Sequence, residues 1–113
     1  MRYCFDIDGV IADSQGTDYH GARPMTATIQ RINRLYDEGH TIVLHTARGM
    51  GTLDGDLERV HATWYDFTVD QMKGWGLRFH ELFLGKPYAD VYVDDKGVGF
   101  DLWMASAPAG DDG

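Results

Sequence analysis

The sequence predicts an α/β fold in which a parallel sheet is flanked by helices, and three observations carry that expectation. Apolar or β-branched runs too short for helices alternate with segments of helical periodicity, the pattern that builds a parallel sheet. The chain has 113 residues, of which 43% are hydrophobic and 25% charged, enough for one domain around one modest core. Acidic and polar motifs follow the apolar runs, and open α/β sheets bind ligands at the C-terminal ends of their strands. No repeat, linker or second domain is visible. Residues 1–106 are therefore expected to form a single domain, and 107–113, small and acidic, a disordered tail.

Tyr3 to Ile7 opens the chain as a buried strand. It contains Cys4, the one cysteine, which rules out an intrachain disulfide and reads as a buried strand residue. Gly9 to Arg23 holds three glycines and several polar residues, a loop or small hairpin. Pro24 suits the first turn of a helix. Met25, Ile29, Ile32 and Tyr36, with Leu35 alongside, then mark one apolar helical face, and Gly39 is a C-terminal stop. Thr41 to His45 is β-branched and apolar, a second buried strand, and Thr46-Ala47-Arg48-Gly49 follows it. Gly49 to Gly55 reads as a mobile loop. Leu57, Val60 and Trp64 keep helical spacing, and Thr68-Val69-Asp70-Gln71 reads as a capping box that starts a further helical segment before Met72 and Trp75. Phe79 to Leu84 is a third strand, ending in Gly85-Lys86-Pro87. Asp90 to Val93 is a fourth, ending in Asp94-Asp95. Leu102 to Met104 closes a short last helix.

Charge narrows the function classes. A net charge of −8 and a pI near 4.8 exclude the clustered basic surface that a nucleic-acid binder needs, and leave no footing on anionic lipid. No apolar run approaches the roughly 20 residues needed to span a bilayer, and no signal-peptide core precedes Asp6. Cytosolic location is the default expectation. Two acidic clusters, Asp6/Asp8 and Asp94/Asp95, would repel a phosphorylated ligand unless a divalent cation sat between them.

Those clusters also carry the candidate chemistry. Two carboxylates two residues apart at a strand end repel unless a cation or proton is shared. One could attack phosphorus, and the other could protonate the leaving oxygen and later activate water. Gly9 would let backbone N–H groups approach a phosphate. Taken alone, Asp6-Ile7-Asp8-Gly9 is equally a turn or part of a calcium loop. Asp94-Asp95 offers hard oxygen ligands suited to Mg²⁺, or else is a solvated acidic turn. Thr46 and Lys86 at neighbouring strand ends could hold phosphoryl oxygens and offset their charge. Arg48, His20 and Arg23 are candidate substrate contacts near the rim, Arg48 foremost because a guanidinium suits phosphate. His45, His61 and His80 have no metal-ligand spacing, and Trp64, Trp75 and Trp103 read as core or interface aromatics.

In that order, Asp6-x-Asp8-Gly9-Val10, Thr46 after an apolar strand, Lys86 before a proline and Asp94-Asp95 after Val93 resemble the haloacid dehalogenase-like (HAD) superfamily, over residues 2 to 100 or so. Thr46-Ala47-Arg48-Gly49, Trp75-Gly76 and Gly85-Lys86-Pro87 look like the small HAD-type proteins found beside bacterial capsule and surface-sugar genes. The resemblance implies a Rossmann-like catalytic domain and a phosphatase that hydrolyses a small phosphomonoester, such as a phosphosugar, with Mg²⁺. It implies Asp6 as nucleophile and metal ligand, and Asp8 as general acid/base with its carbonyl on the metal. Thr46 would bind phosphoryl oxygens together with backbone N–H groups around Gly9 and Ala47, and Lys86 would orient Asp6 and the phosphate. Asp95 or Asp94 would complete the metal site. An aspartate at position 8 favours phosphoryl transfer over dehalogenation. Neither Val10–Pro24 nor Ala47–Gly85 has room for a cap domain, so an open site is expected, covered in part by a second copy of the chain or by the Gly49–Gly55 loop. The rival expectations are a phospho-accepting receiver-like signalling domain and a catalytically silent binding domain.

Overall fold

Over residues 1–106, the part of the chain that this computed structural model describes, the sequence folds into five strands and three helices. They are β1 (Arg2–Asp6), β2 (Ala12–Gln15), β3 (Asp18–Pro24), α1 (Thr26–Asp37), β4 (Thr41–His45), α2 (Leu57–Gly74), β5 (Glu81–Phe83) and α3 (Phe100–Ala105). β1, β4 and β5 form a parallel sheet in that order, and β2 with β3 make a separate antiparallel ribbon. This is the α/β, Rossmann-like class read from the sequence. The expected tail, 107–113, lies outside the described residues.

The centre of the sheet is β4, whose Ile42, Val43 and Leu44 are all buried, as befits a parallel strand with neighbours on both sides. Its register with β1 sets Phe5 beside Leu44, and its register with β5 sets Leu44 beside Leu82. Those three and Ile42 share the core with Ile29 and Ile32 of α1, Met72 of α2, and Leu77. Trp103 of α3 packs its ring edge-on against Phe5, with ring centres 5.1 Å apart, and Arg31 lies 3.8 Å over its face.

α1 ends as its sequence requires. Gly39 has φ +94°, its N–H reaches the carbonyl of Tyr36, and the N–H of His40 reaches that of Leu35, the paired bonds of a glycine-terminated helix. Its beginning differs from expectation. Pro24 does not enter the first turn but ends β3 opposite Ala12, and the Met25 N–H is taken by the Ile11 carbonyl. The ribbon thus fills the expected hairpin and holds the proline back in extended backbone.

Three further readings are corrected, and the loop after β4 is given its detail. Leu57–Gly74 is one continuous helix, capped at its start by the Asp56 side chain accepting from the Arg59 N–H, with Thr68 fully buried in its interior. No glycine or proline interrupts those residues before Gly74, so nothing breaks the helix where the capping pattern had placed a boundary. Asp90–Val93 forms no strand: Val91 and Val93 are exposed, and the Tyr92 hydroxyl turns back to the Pro87 carbonyl. A four-residue apolar run becomes a strand only when a partner supplies its hydrogen bonds. Cys4 is exposed, because alternation along β1 gives Phe5 to the core and leaves Cys4 on the other face. The Gly49–Gly55 segment is a hydrogen-bonded set of turns, with Leu53 N–H to the Gly49 carbonyl and Gly55 N–H to that of Met50.

Leu44 has no exposed surface at the centre of the sheet. Leu44→Ala is expected to lower unfolding stability by about 2–5 kcal/mol, measured as a shift of the urea midpoint at unchanged slope.

Candidate active site

The site begins where β1 ends. Beyond Asp6 the backbone doubles back tightly: the Ile7 carbonyl faces the N–H groups of Val10, Ile11 and Ala12, and Gly9 sits at φ +92°, which a side chain would resist. Asp6 and Asp8 are thereby presented at the C-terminal end of the strand. One Asp6 oxygen, Oδ1, accepts the Ile7 N–H at 2.9 Å, and Oδ2 lies 3.4 Å from Lys86 Nζ. Lys86 reaches it because the loops after β4 and β5 are tied together. Thr46 N–H donates to the Phe83 carbonyl, and Lys86 N–H donates to the Thr46 carbonyl.

Asp8 is held from a different direction. Arg48 Nε donates to Oδ2 at 2.9 Å and Nη2 to Oδ1 at 3.0 Å, a two-pronged pair. Ser14 Oγ lies 2.5 Å from Oδ1 and Thr46 Oγ1 3.5 Å from Oδ2. The Arg48 side chain has no exposed surface, whereas that of Asp8 keeps 28%. The remaining prong of Arg48, Nη1, donates to Gln71 Oε1 at 2.8 Å and Thr68 Oγ1 at 3.4 Å, and its carbon lies 4.8 Å from the centre of the Tyr19 ring. Gln71 Nε2 in turn donates to the Tyr19 carbonyl at 2.8 Å. Close packing continues at Gly49, where a Cβ would meet Trp64 at 2.6 Å with φ at +79°, so only glycine fits.

Of the residues singled out from the sequence, Asp6, Asp8, Thr46 and Lys86 are linked in one place by these contacts. Ala47 is half-buried beside them. Gly9 is present but its N–H donates to the Ala12 carbonyl at 2.8 Å rather than standing ready for a phosphate. Arg48 is not at the rim; it lies beneath Asp8. His20 packs at a tilt against Phe67 and Trp64, at 4.3 and 5.6 Å between ring centres, and Arg23 lies exposed on β3 across from Asp13. Ser14, Tyr19, Thr68 and Gln71 were missed. Their one signal was two polar residues, Thr68 and Gln71, at helical spacing among the apolar positions of α2.

Asp94 and Asp95 do not join the site. Both are exposed, and Asp94 Oδ1 accepts the Lys96 N–H at 2.8 Å. That bond first, and a hydrogen bond with Asp95 second, hold the Asp94 carboxyl below its usual range. The expected fourth strand was to have delivered this pair, and it is not formed. Among the described residues no three His, Cys, Asp or Glu side chains converge as metal ligands, and the carboxylate oxygens of Asp6 and Asp8 already face Lys86, Arg48 and hydroxyl or amide donors. Mg²⁺ needs only one or two protein carboxylates with water completing its shell, and Asp6 and Asp8 are the two that would hold it. Each of them also faces its own cation, Lys86 for Asp6 and Arg48 for Asp8.

His45 is the residue opposite Asp6 in the register. Burial pushes its imidazole below the usual 6.5, Lys86 pushes the same way, and Asp6 opposes both. A histidine held neutral in the fold but free to protonate when unfolded contributes no penalty above pH 6.5 and a growing one below it. Unfolding stability is therefore expected to fall as pH drops below about 6.5, and His45→Gln to flatten that slope in chemical denaturation measured at a series of pH values.

No family model matches the chain, and no curated protein matches it either. The fold is nevertheless shared with a solved structure, the crystal structure of a structural-genomics target from Vibrio cholerae. The two superpose with a TM-score of 0.86 over 97% of this chain and 91% of that one, at 23% identity. At that identity the likeness establishes the architecture alone.

Proposed function

We propose that this chain is a phosphomonoester hydrolase of the HAD type, acting through an aspartyl-phosphate on Asp6. The observation that carries the reading is the pairing of Asp6 with Lys86 at 3.4 Å, two residues from an Asp8 whose carboxylate is oriented from below and open on one side. In the first step an Asp6 carboxylate oxygen bonds to phosphorus, the phosphorus–oxygen bond to the alcohol breaks, and Asp8, after taking up a proton from solvent on the side that Arg48 leaves open, passes it to the leaving oxygen. In the second, water attacks the acyl-phosphate phosphorus, Asp8 takes its proton, and inorganic phosphate leaves with Asp6 restored. Thr46, whose buried hydroxyl lies 3.5 Å from Asp8 Oδ2, helps to hold that carboxylate, and the Lys86 ammonium offsets charge gathering in the transition state.

The substrate class in this reading is a small phosphorylated metabolite, a phosphosugar foremost, in the cytosol of a cell that builds surface sugars. A site without a cap favours a substrate that projects into solvent. No helix of the described residues is long and apolar enough to cross a membrane. Magnesium enters the proposal through the family resemblance and not through the geometry, so its requirement is tested separately.

A panel of phosphorylated metabolites assayed with Mg²⁺, without it and with chelator decides the reading. Turnover of at least one phosphomonoester is expected, abolished in Asp6→Asn while circular dichroism stays native. Activity at wild-type level in Asp6→Asn refutes the mechanism. A stable phospho-Asp6 without turnover points to a receiver-like role instead, and turnover undiminished by chelator removes the metal from the proposal.

A further inference from the structure

We infer that Arg48 and Gln71 are positioning residues that aim the Asp8 carboxylate, and that Arg48 does not bind substrate. The inference rests on the hydrolase reading above for its purpose, and on geometry for its content. Arg48 has no exposed side-chain surface, so an incoming phosphate cannot reach it. Its Nε and Nη2 grip both oxygens of Asp8, which takes away rotation of that carboxylate about its own axis. A guanidinium presents its donors in a rigid plane, so whatever fixes the third prong fixes the plane and hence Asp8. The third prong is fixed from α2, by Gln71 Oε1 and Thr68 Oγ1. Gln71 is itself anchored at its other end by the Tyr19 carbonyl in the β2–β3 ribbon, and the Tyr19 ring lies against the guanidinium.

The relay runs from ribbon and helix to arginine to carboxylate, across segments 20 to 52 residues apart. Among the described residues the buried side-chain N and O atoms all have partners, so Gln71 is placed here by a complete set of bonds.

The consequence depends on the leaving group. An activated aryl alcohol departs without a proton, whereas an alkyl or sugar alcohol needs one from Asp8. Loosening Asp8 should therefore slow the first step, release of the alcohol, selectively for the second class, while the hydrolytic step that follows is common to both. Arg48→Lys keeps the charge and loses the two-pronged grip. Gln71→Met keeps the Arg48–Asp8 pair and loses its support, and it stands as the milder variant should the first fail to fold. Both are expected to lower the single-turnover rate of alcohol release from an alkyl phosphate by about tenfold or more, with about threefold or less for a dinitrophenyl phosphate and little change in KM. By NMR, the Arg48 Nε–H is expected to exchange slowly in the wild type and faster in Gln71→Met. Equal losses of that first-step rate on both substrates, or a raised KM with the first-step rate retained, overturn the inference while the hydrolase reading stands. A wild-type protein inactive on every phosphomonoester overturns the reading and the inference with it.

Discussion

The buried ion pair between Arg48 and Asp8 is the constraint on which the rest of the site depends. Moving a guanidinium out of water costs several kcal/mol unless its donors find partners. Here they find Asp8, Gln71 and Thr68, with the Tyr19 ring over the face. Those partners come from the turn after β1, the interior of α2 and the β2–β3 ribbon. The fold cannot place Arg48 without drawing those segments together, and Gly49 must then lie so close to Trp64 that it has no room for a side chain.

The second pair, Asp6 with Lys86, is of another kind. The Asp6 side chain is 37% exposed and that of Lys86 20%, so water screens the attraction and the pair contributes far less to stability. What it does is local. A carboxylate that is partly solvated and faced by one ammonium stays accessible to a ligand, whereas one gripped on both oxygens stays still. The two aspartates, two residues apart, are thus set up for different tasks by what surrounds them. The parallel sheet makes this economical, since the ends of β1, β4 and β5 lie side by side and three backbone bonds around Ile7, with two around Thr46, set all the loops.

Much of this was legible in the chain. The runs Tyr3–Ile7, Thr41–His45 and Phe79–Leu84 contain the three sheet strands, the helical face from Met25 to Tyr36 is α1, and Gly39 ends it. Each of these depends on neighbours within a few residues. Asp90–Val93 was misread because a strand needs another strand, and that is not encoded within four residues. Cys4 was misread because an apolar run does not declare which face the sheet will bury. Thr68 and Gln71 fit the pattern of a helix start, and only the uninterrupted helix from Leu57 to Gly74 overrules it.

The sequence by itself determined the α/β class, the order of its main elements and the gathering of Asp6, Asp8, Thr46 and Lys86 at strand ends, because strand polarity and hydrophobic period are local properties. Only the tertiary structure decided that Arg48 lies under Asp8 rather than at the rim, that α2 supports it through Gln71, and that Asp94 and Asp95 stand apart. Those outcomes turn on partners tens of residues away, and on the need of a buried charge to be paired wherever the chain can supply the means.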